Sequence, residues 1–280
     1  MKRDPAEIEE TQRLETVYGI SDHPAIQAIT DTVCGCGHVG TSWTTRQEAD
    51  TISKYLNLQS TDHLLELGAG AGWPGLYLAN QSGCRVTLID LPETGLKIAM
   101  DRARTDGMAD RVSTIVGDAS DLPLEDQCFG HINHADLLCC LLPKRRVLEE
   151  CRRVIRPAGR MAFSVISTAD DLSASEFAQA VNNGPPFVEC EMSYDDLLLA
   201  TGWQIDVHLD ITDAYEQACQ RTITADLRHE VALRALLGDD EFEVRLENWR
   251  SKLATIRKGF IRREFFVVSP PRRLAALKSV

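Results

Sequence analysis

The chain has 280 residues, 44% of them hydrophobic, with 42 acidic side chains against 30 basic ones and a formal charge of −12. That length supports one large domain with a real core, or a domain plus a cap. A pI near 5.1, unrelieved by any basic stripe, excludes a nucleic-acid-binding surface.

The N-terminus, MKRDPAEIEE, is charged and has no apolar h-region, and no run approaches the roughly eighteen apolar residues of a membrane span. The expectation is a cytoplasmic chain. Its nine cysteines are then mostly small buried hydrophobes. Residues 1–60 read as a helical cap. Ala6–Tyr18 and Pro24–Val33 are its first helices, with Ser21 and Asp22 as cap candidates for the second. CGCGHVG breaks the pattern at Cys34–Gly40, and Thr45–Leu56 places Ala49, Ile52 and Leu56 on one helical face. Cys34, Cys36 and His38 match no standard zinc spacing, so no metal is expected.

Residues 61–168 read as the core. Strands are expected at His63–Leu67, Arg85–Asp90, Val112–Val116, within Phe129–Leu138 and at Arg160–Ile166. Helices are expected at Trp73–Asn80, Glu93–Thr105 and Arg145–Arg156, the last stopped by Pro157 and Gly159. Strands and helices alternating at this spacing make βαβ units and a parallel sheet. Residues 169–280 supply the rest of the core and cap insertions. Helices are expected at Ala169–Gly184, Ser193–Thr201, Thr212–Leu237 and Glu241–Lys258, with late strands at Trp203–Ile211 and Phe265–Val268 forming an edge hairpin. The fold class is α/β: a Rossmann-like, seven-stranded, mostly parallel sheet with helices on both faces and a helical cap. The three short basic tracts, Lys144-Arg145-Arg146, Arg152-Arg153 and Arg262-Arg263, read as solvated helix faces or ends.

The chemistry concentrates in LLELGAGAGWPG, Leu64–Gly75. An apolar run, an acid, glycines at 68, 70, 72 and 75 and a fresh apolar run make a strand, a tight loop and a helix start. Backbone N–H groups there face a ligand. Gly70, Gly72 and Gly75 spell G-x-G-x-x-G with Asp90 twenty residues past Gly70, which suits a dinucleotide. Glu66, just before the loop, is unwelcome beside a pyrophosphate and suits a cofactor with a cationic end.

Glu66-x-Gly68-x-Gly70-x-Gly72 resembles the first motif of class I S-adenosylmethionine-dependent methyltransferases. The resemblance implies S-adenosyl-L-methionine as cofactor and S-adenosyl-L-homocysteine as product. It sets Glu66, Gly68, Ala69, Gly70, Gly72 and Trp73 around the cofactor, and Asp90 on the ribose hydroxyls. Leu91 would lie on the adenine face, Asp118 on the adenine amine and the Ala119 N–H on a ring nitrogen. Phe129–Leu142 resembles the corresponding segment of small-molecule N-methyltransferases of the phosphoethanolamine and sarcosine type. This implies that Asp136 meets a substrate amine and that Tyr18, on a closing N-terminal helix, assists as a second catalytic group. His134 falls near the cofactor, and Cys140 stands where that family carries a histidine. Gly40-Thr41-Ser42 would lie near the methionine carboxylate. Trp249–Phe265 resembles the last helix and strand of the same enzymes. The expected partner is a small-molecule acceptor, with no nucleic acid and no membrane; a homodimer stays open. Two rivals remain, a nicotinamide-dependent reductase using the same loop and a non-catalytic binding domain that keeps it.

Overall fold

A computed structural model of the chain describes residues 3–37 and 42–271. Five strands run parallel: β1 (His63–Leu67), β2 (Arg85–Asp90), β3 (Val112–Val116), β4 (Phe129–Ala135) and β5 (Ile155–Thr168). Two later strands, β6 (Gln204–Asp210) and β7 (Ile261–Ser269), close the edge as an antiparallel pair. The sheet order is β3-β2-β1-β4-β5-β7-β6, the Rossmann-like seven-stranded arrangement expected from the sequence.

Strand alternation builds two cores. On one face Leu64, Val86, Leu88, Ala162 and Val267 pack under α3 (Arg46–Leu56), α4 (Gly75–Ser82) and α5 (Glu93–Thr105). On the other, Leu65, Leu67, Ile132, Met161 and Phe163 meet α6 (Lys144–Val154) and the helices that follow. Each such side chain, fully enclosed, contributes roughly 1.5–3 kcal/mol by leaving water. The remaining helices lie over the carboxyl ends of the strands or beside them: α1 (Pro5–Gly19), α2 (Pro24–Cys34), α7 (Ala174–Asn183), α8 (Tyr194–Ala200), α9 (Thr212–Arg228), α10 (Glu230–Leu237) and α11 (Asp239–Arg257). α2 and α11 both pack on α9.

The structure departs from the sequence reading in four places. The cap of α2 is His23, whose Nδ1 accepts from the Ala25 N–H at 3.3 Å, rather than Ser21 or Asp22. β5 starts at Ile155, so Pro157 and Gly159 lie within a strand. They are tolerated because the β4–β5 ladder skips there, from Phe129↔Ile155 to His131↔Arg160, and no N–H is missed in an irregularity of this kind. The stretch 212–237 is two helices that break at His229, with no glycine or proline to announce it. Cys34 and Cys36 are joined by a disulfide, which withdraws both sulfurs from any metal set; His38, Gly40 and Thr41 lie outside the described residues.

Candidate active site

The loop after β1 folds by means of two glycines. Gly68 (φ +62°) and Gly70 (φ +49°) occupy left-handed backbone. A Cβ on Gly68 would press into Leu137, and one on Gly70 would overlap the Tyr18 hydroxyl. The Gly70 N–H donates to Asp90 Oδ2 at 2.6 Å and the Leu91 N–H to Asp90 Oδ1 at 2.7 Å, which locks the end of β2 to the loop. Desolvation pushes the Asp90 carboxyl up to about 6 against the pull of those two N–H groups.

Two cavities with lining residues in common lie beside this lock. The smaller, about 80 Å³, lies between Asp90 and Leu91 on one side and Asp118 and Ala119 on the other. Asp118 Oδ1 also accepts from the Ser120 N–H (2.8 Å) and Oγ (2.7 Å), so the residue caps its own turn and faces the slot together. The larger cavity, about 540 Å³, shares Gly68, Asp90, Leu137 and Cys140 with the first and extends past Tyr18 and Asp136. α1 roofs the junction. Its Glu15 accepts from the Glu93 and Thr94 N–H groups at 2.7 and 3.3 Å, and its Glu7 from the Leu142 N–H at 3.0 Å.

Four residues sit differently from expectation. Glu66 lines neither cavity. It is buried beneath the start of α4, where a Cβ on Gly75 would come within 3.1 Å of its Cβ and Cγ, and both its oxygens accept from Asn133 Nδ2 at 3.0 and 2.9 Å. Trp73 lines neither cavity; it donates to the Thr44 carbonyl at 2.7 Å and packs with Cys34, Cys36 and Ala49. His134 lies within the sheet, stacked on Phe163 at 4.6 Å, because its position on β4 shares the face of Ile132. Burial lowers its pKa to about 3, so it is a neutral ring in the core. Asp136 (φ +55°) does line the larger cavity, but both its oxygens accept from Arg263, at 3.0 Å each. It is a fixed wall rather than a carboxylate waiting for an amine. Ala69 and Gly72 shape the loop from within, the Gly72 N–H donating to the Ala69 carbonyl at 2.8 Å.

Arg263 corrects the reading of its tract as solvated. It is 1% exposed and also donates to Glu48 (2.7 Å), Ser164 (3.1 Å) and Thr44 (3.4 Å). The alternation of β7, with Ile261 and Phe265 buried beside it, is the signal that would have found it. Lys144 and Arg153 are likewise engaged, by the Leu141 and Phe187 carbonyls and by Glu150. The Cys140 thiol is held well above its ordinary pKa by its hydrogen bond with Cys139 and by burial, so Cys140 offers no thiolate.

Glu66 has a consequence that can be measured. Burial raises its carboxyl from an ordinary 4.5 to about 8. Between those values the folded chain keeps a proton that the unfolded chain releases, so this group's contribution is lost as pH rises from about 4.5 toward 8. Glu66→Gln should flatten that part of the stability curve, by an amount on the order of a few kcal/mol. Urea unfolding of both proteins at pH 5 and pH 8 measures it; parallel curves would show that Glu66 is ionised in the folded state.

A carboxylate at the end of β2, a second acid after β3, bare glycine backbone at the switch point and an antiparallel final strand together make the Rossmann-like fold of class I S-adenosylmethionine-dependent methyltransferases. Residues 65–163 match the model of the methyltransferase domain family. The chain is 31% identical over 154 residues to methyltransferase GfsG of Streptomyces halstedii, covering 50% of this chain and 55% of that protein. It is 28% identical over 147 residues to a glycine/sarcosine/dimethylglycine N-methyltransferase of Actinopolyspora halophila, covering 50% and 26%. Its fold is similar to that of phosphoethanolamine N-methyltransferase 2 of Haemonchus contortus, with a TM-score of 0.73, 17% identity and coverage of 82% of this chain and 54% of that one. The matches thus span about half, or less, of these relatives' own length.

Proposed function

We propose that the chain transfers a methyl group from S-adenosyl-L-methionine to an oxygen or nitrogen nucleophile of a small molecule. The observation that carries this reading is the slot lined by Asp90, Leu91, Asp118 and Ala119, which shares Gly68, Asp90, Leu137 and Cys140 with a much larger cavity. Two features support this cofactor: the loop glycines leave no room for a Cβ, and the carboxylates of Asp90 and Asp118 both line the slot.

When bound, the sulfonium supplies a methyl carbon already activated toward in-line displacement. The chain's own residues then do the rest. Asp90 accepts the ribose hydroxyls, Asp118 takes the adenine amine, the Ala119 N–H serves a ring nitrogen, and Leu91 covers the ring. Gly68 and Gly70 let the chain approach the ligand closely. Tyr18 and the α1 roof exclude water and hold the acceptor in line, where orientation alone removes a large part of the barrier. Asp136, clamped by Arg263, positions the wall against which the acceptor rests. Glu66, sealed below the loop, fixes that loop from beneath.

Thermal unfolding with S-adenosyl-L-homocysteine, and separately with NADH and NADPH, tests the reading. A ligand at a hundred times its dissociation constant adds about 2.7 kcal/mol, a shift of several degrees for a chain of this size. A shift with S-adenosyl-L-homocysteine alone is expected; a shift with a nicotinamide cofactor alone would replace the methyltransferase by a reductase.

A further inference from the structure

The larger cavity has two ends of different character. Its walls include the aliphatic side chains of Leu14, Val17, Ile29, Val33 and Ile166. The far end is built by three aromatic residues, with Trp43 meeting Tyr215 edge-on at 5.0 Å and Trp249 edge-on at 5.5 Å. Tyr215 is fully buried and its hydroxyl, beside the weak Cys219 thiol, makes no well-formed hydrogen bond among the described residues; the buried Trp249 Nε1 has no partner among them either. Leaving such a group unpaired costs about 1–3 kcal/mol, which is tolerated where a ligand brings the partner. Lys252, three residues after Trp249 and on the same helix face, also lines this end. Its ammonium donates to the Asn183 carbonyl at 2.5 Å, and an ammonium has three protons to give.

Indole N–H and ammonium groups donate and cannot accept. The neighbouring carboxylates are committed: Asp226 to Arg245 at 2.6 and 3.1 Å, Asp136 to Arg263 at 3.0 Å. Among the described residues this end therefore offers donors in an aromatic setting and no uncommitted carboxylate to greet a cation. Glu10 lines the cavity too, at the α1 side, where it is paired with Arg13.

We propose that Tyr215, Trp249 and Lys252 form a recognition subsite for an oxygen-bearing end, carboxylate or carbonyl, of a predominantly apolar methyl acceptor. The word acceptor rests on the methyltransferase reading; the chemistry of the subsite does not. The volume of about 540 Å³ is within the range of pockets that enclose drug-sized ligands, far more than a small amine needs.

Three ten-carbon probes test it on the intact chain: decanoate, 2-decanone and decylammonium, each below its aggregation threshold, followed by quenching of tryptophan fluorescence. One or both oxygen-bearing probes should bind at least ~10-fold more tightly than decylammonium, the effect of about one buried hydrogen bond to a charged group. Decanoate alone would mark a carboxylate end, and both together a carbonyl suffices. Tyr215→Phe and Trp249→Phe should each weaken the better probe by ~10-fold while leaving S-adenosyl-L-homocysteine binding unchanged. Tyr215→Phe should also leave the thermal midpoint of the free protein unchanged or raised, since it removes an unpaired hydroxyl, which a structural role for that hydroxyl would not allow. Equal binding of all three probes, or indifference of the better one to both substitutions, overturns the subsite. Failure of the wild-type chain to bind S-adenosyl-L-homocysteine would strike the methyltransferase reading instead, and the head-group comparison would still decide the subsite.

Discussion

Arg263→Met is expected to destabilise the chain by about 3–5 kcal/mol, the usual cost of removing one partner from a buried ion pair. Arg263 is almost wholly enclosed and binds two carboxylates from distant parts of the chain, Asp136 on the loop after β4 and Glu48 on α3. Methionine fills much of the volume but leaves Asp136, itself 8% exposed, as an uncompensated buried charge. The size of the effect separates this arginine from a surface ion pair, whose loss costs about 0–1 kcal/mol. Arg263→Lys should fall between, because a point charge cannot fork onto both Asp136 oxygens as a guanidinium does. The double variant Arg263→Met with Asp136→Asn should be more stable than Arg263→Met alone, since the orphaned charge is gone; asparagine also accepts the left-handed backbone at 136. Urea midpoints at pH 7 measure all three. A single-variant loss below about 1 kcal/mol would mean that Arg263 reaches water in solution.

Asp90→Ala should weaken S-adenosyl-L-homocysteine binding by ~100-fold or more, read by titration calorimetry. Two hydroxyl donors to one carboxylate are worth roughly 1.5–3 kcal/mol each. The substitution also removes the acceptor of the Gly70 N–H, so the cradle loses its fixed shape along with its charge. Because the Asp90 carboxyl titrates at about 6, affinity in the unaltered chain should fall as pH drops through that value, where protonation cancels the anion that the hydroxyls need. Asp90→Asn keeps the shape and one acceptor oxygen, and should lie between. Binding within threefold of wild type in Asp90→Ala would move the ribose elsewhere.

Local signals were enough for much of the sheet. β1, β2 and β3 begin and end where apolar runs meet glycine, proline or charge, and the spaced glycines of Leu64–Gly75 marked the turn from β1 to α4 that brings Gly68 to the cavities. Signals of that kind failed where the deciding partner is far away in the chain. Pro157 reads as a helix stop, yet a skipped ladder against β4 lets the strand run through it. Arg263 reads as a solvated charge, yet its partners lie 127 and 215 residues earlier. Asp136 was legible as a residue of the site but not as one already occupied. Tyr215 and Trp249 meet through Trp43, and no spacing in the sequence brings those three rings together.

The roof helix α1 is held to the body by Glu15 and Glu7 accepting from exposed or half-buried backbone N–H groups, and Tyr18 is its one buried residue. A segment tied so lightly opens at a small fraction of the free energy needed to unfold the whole. Such opening should widen the way into the cavity that Leu14, Val17 and Tyr18 line, and ligand exchange should quicken where α1 is loosened. Residues 5–19, which line both cavities and include Tyr18, are then where the pace of ligand exchange would be set.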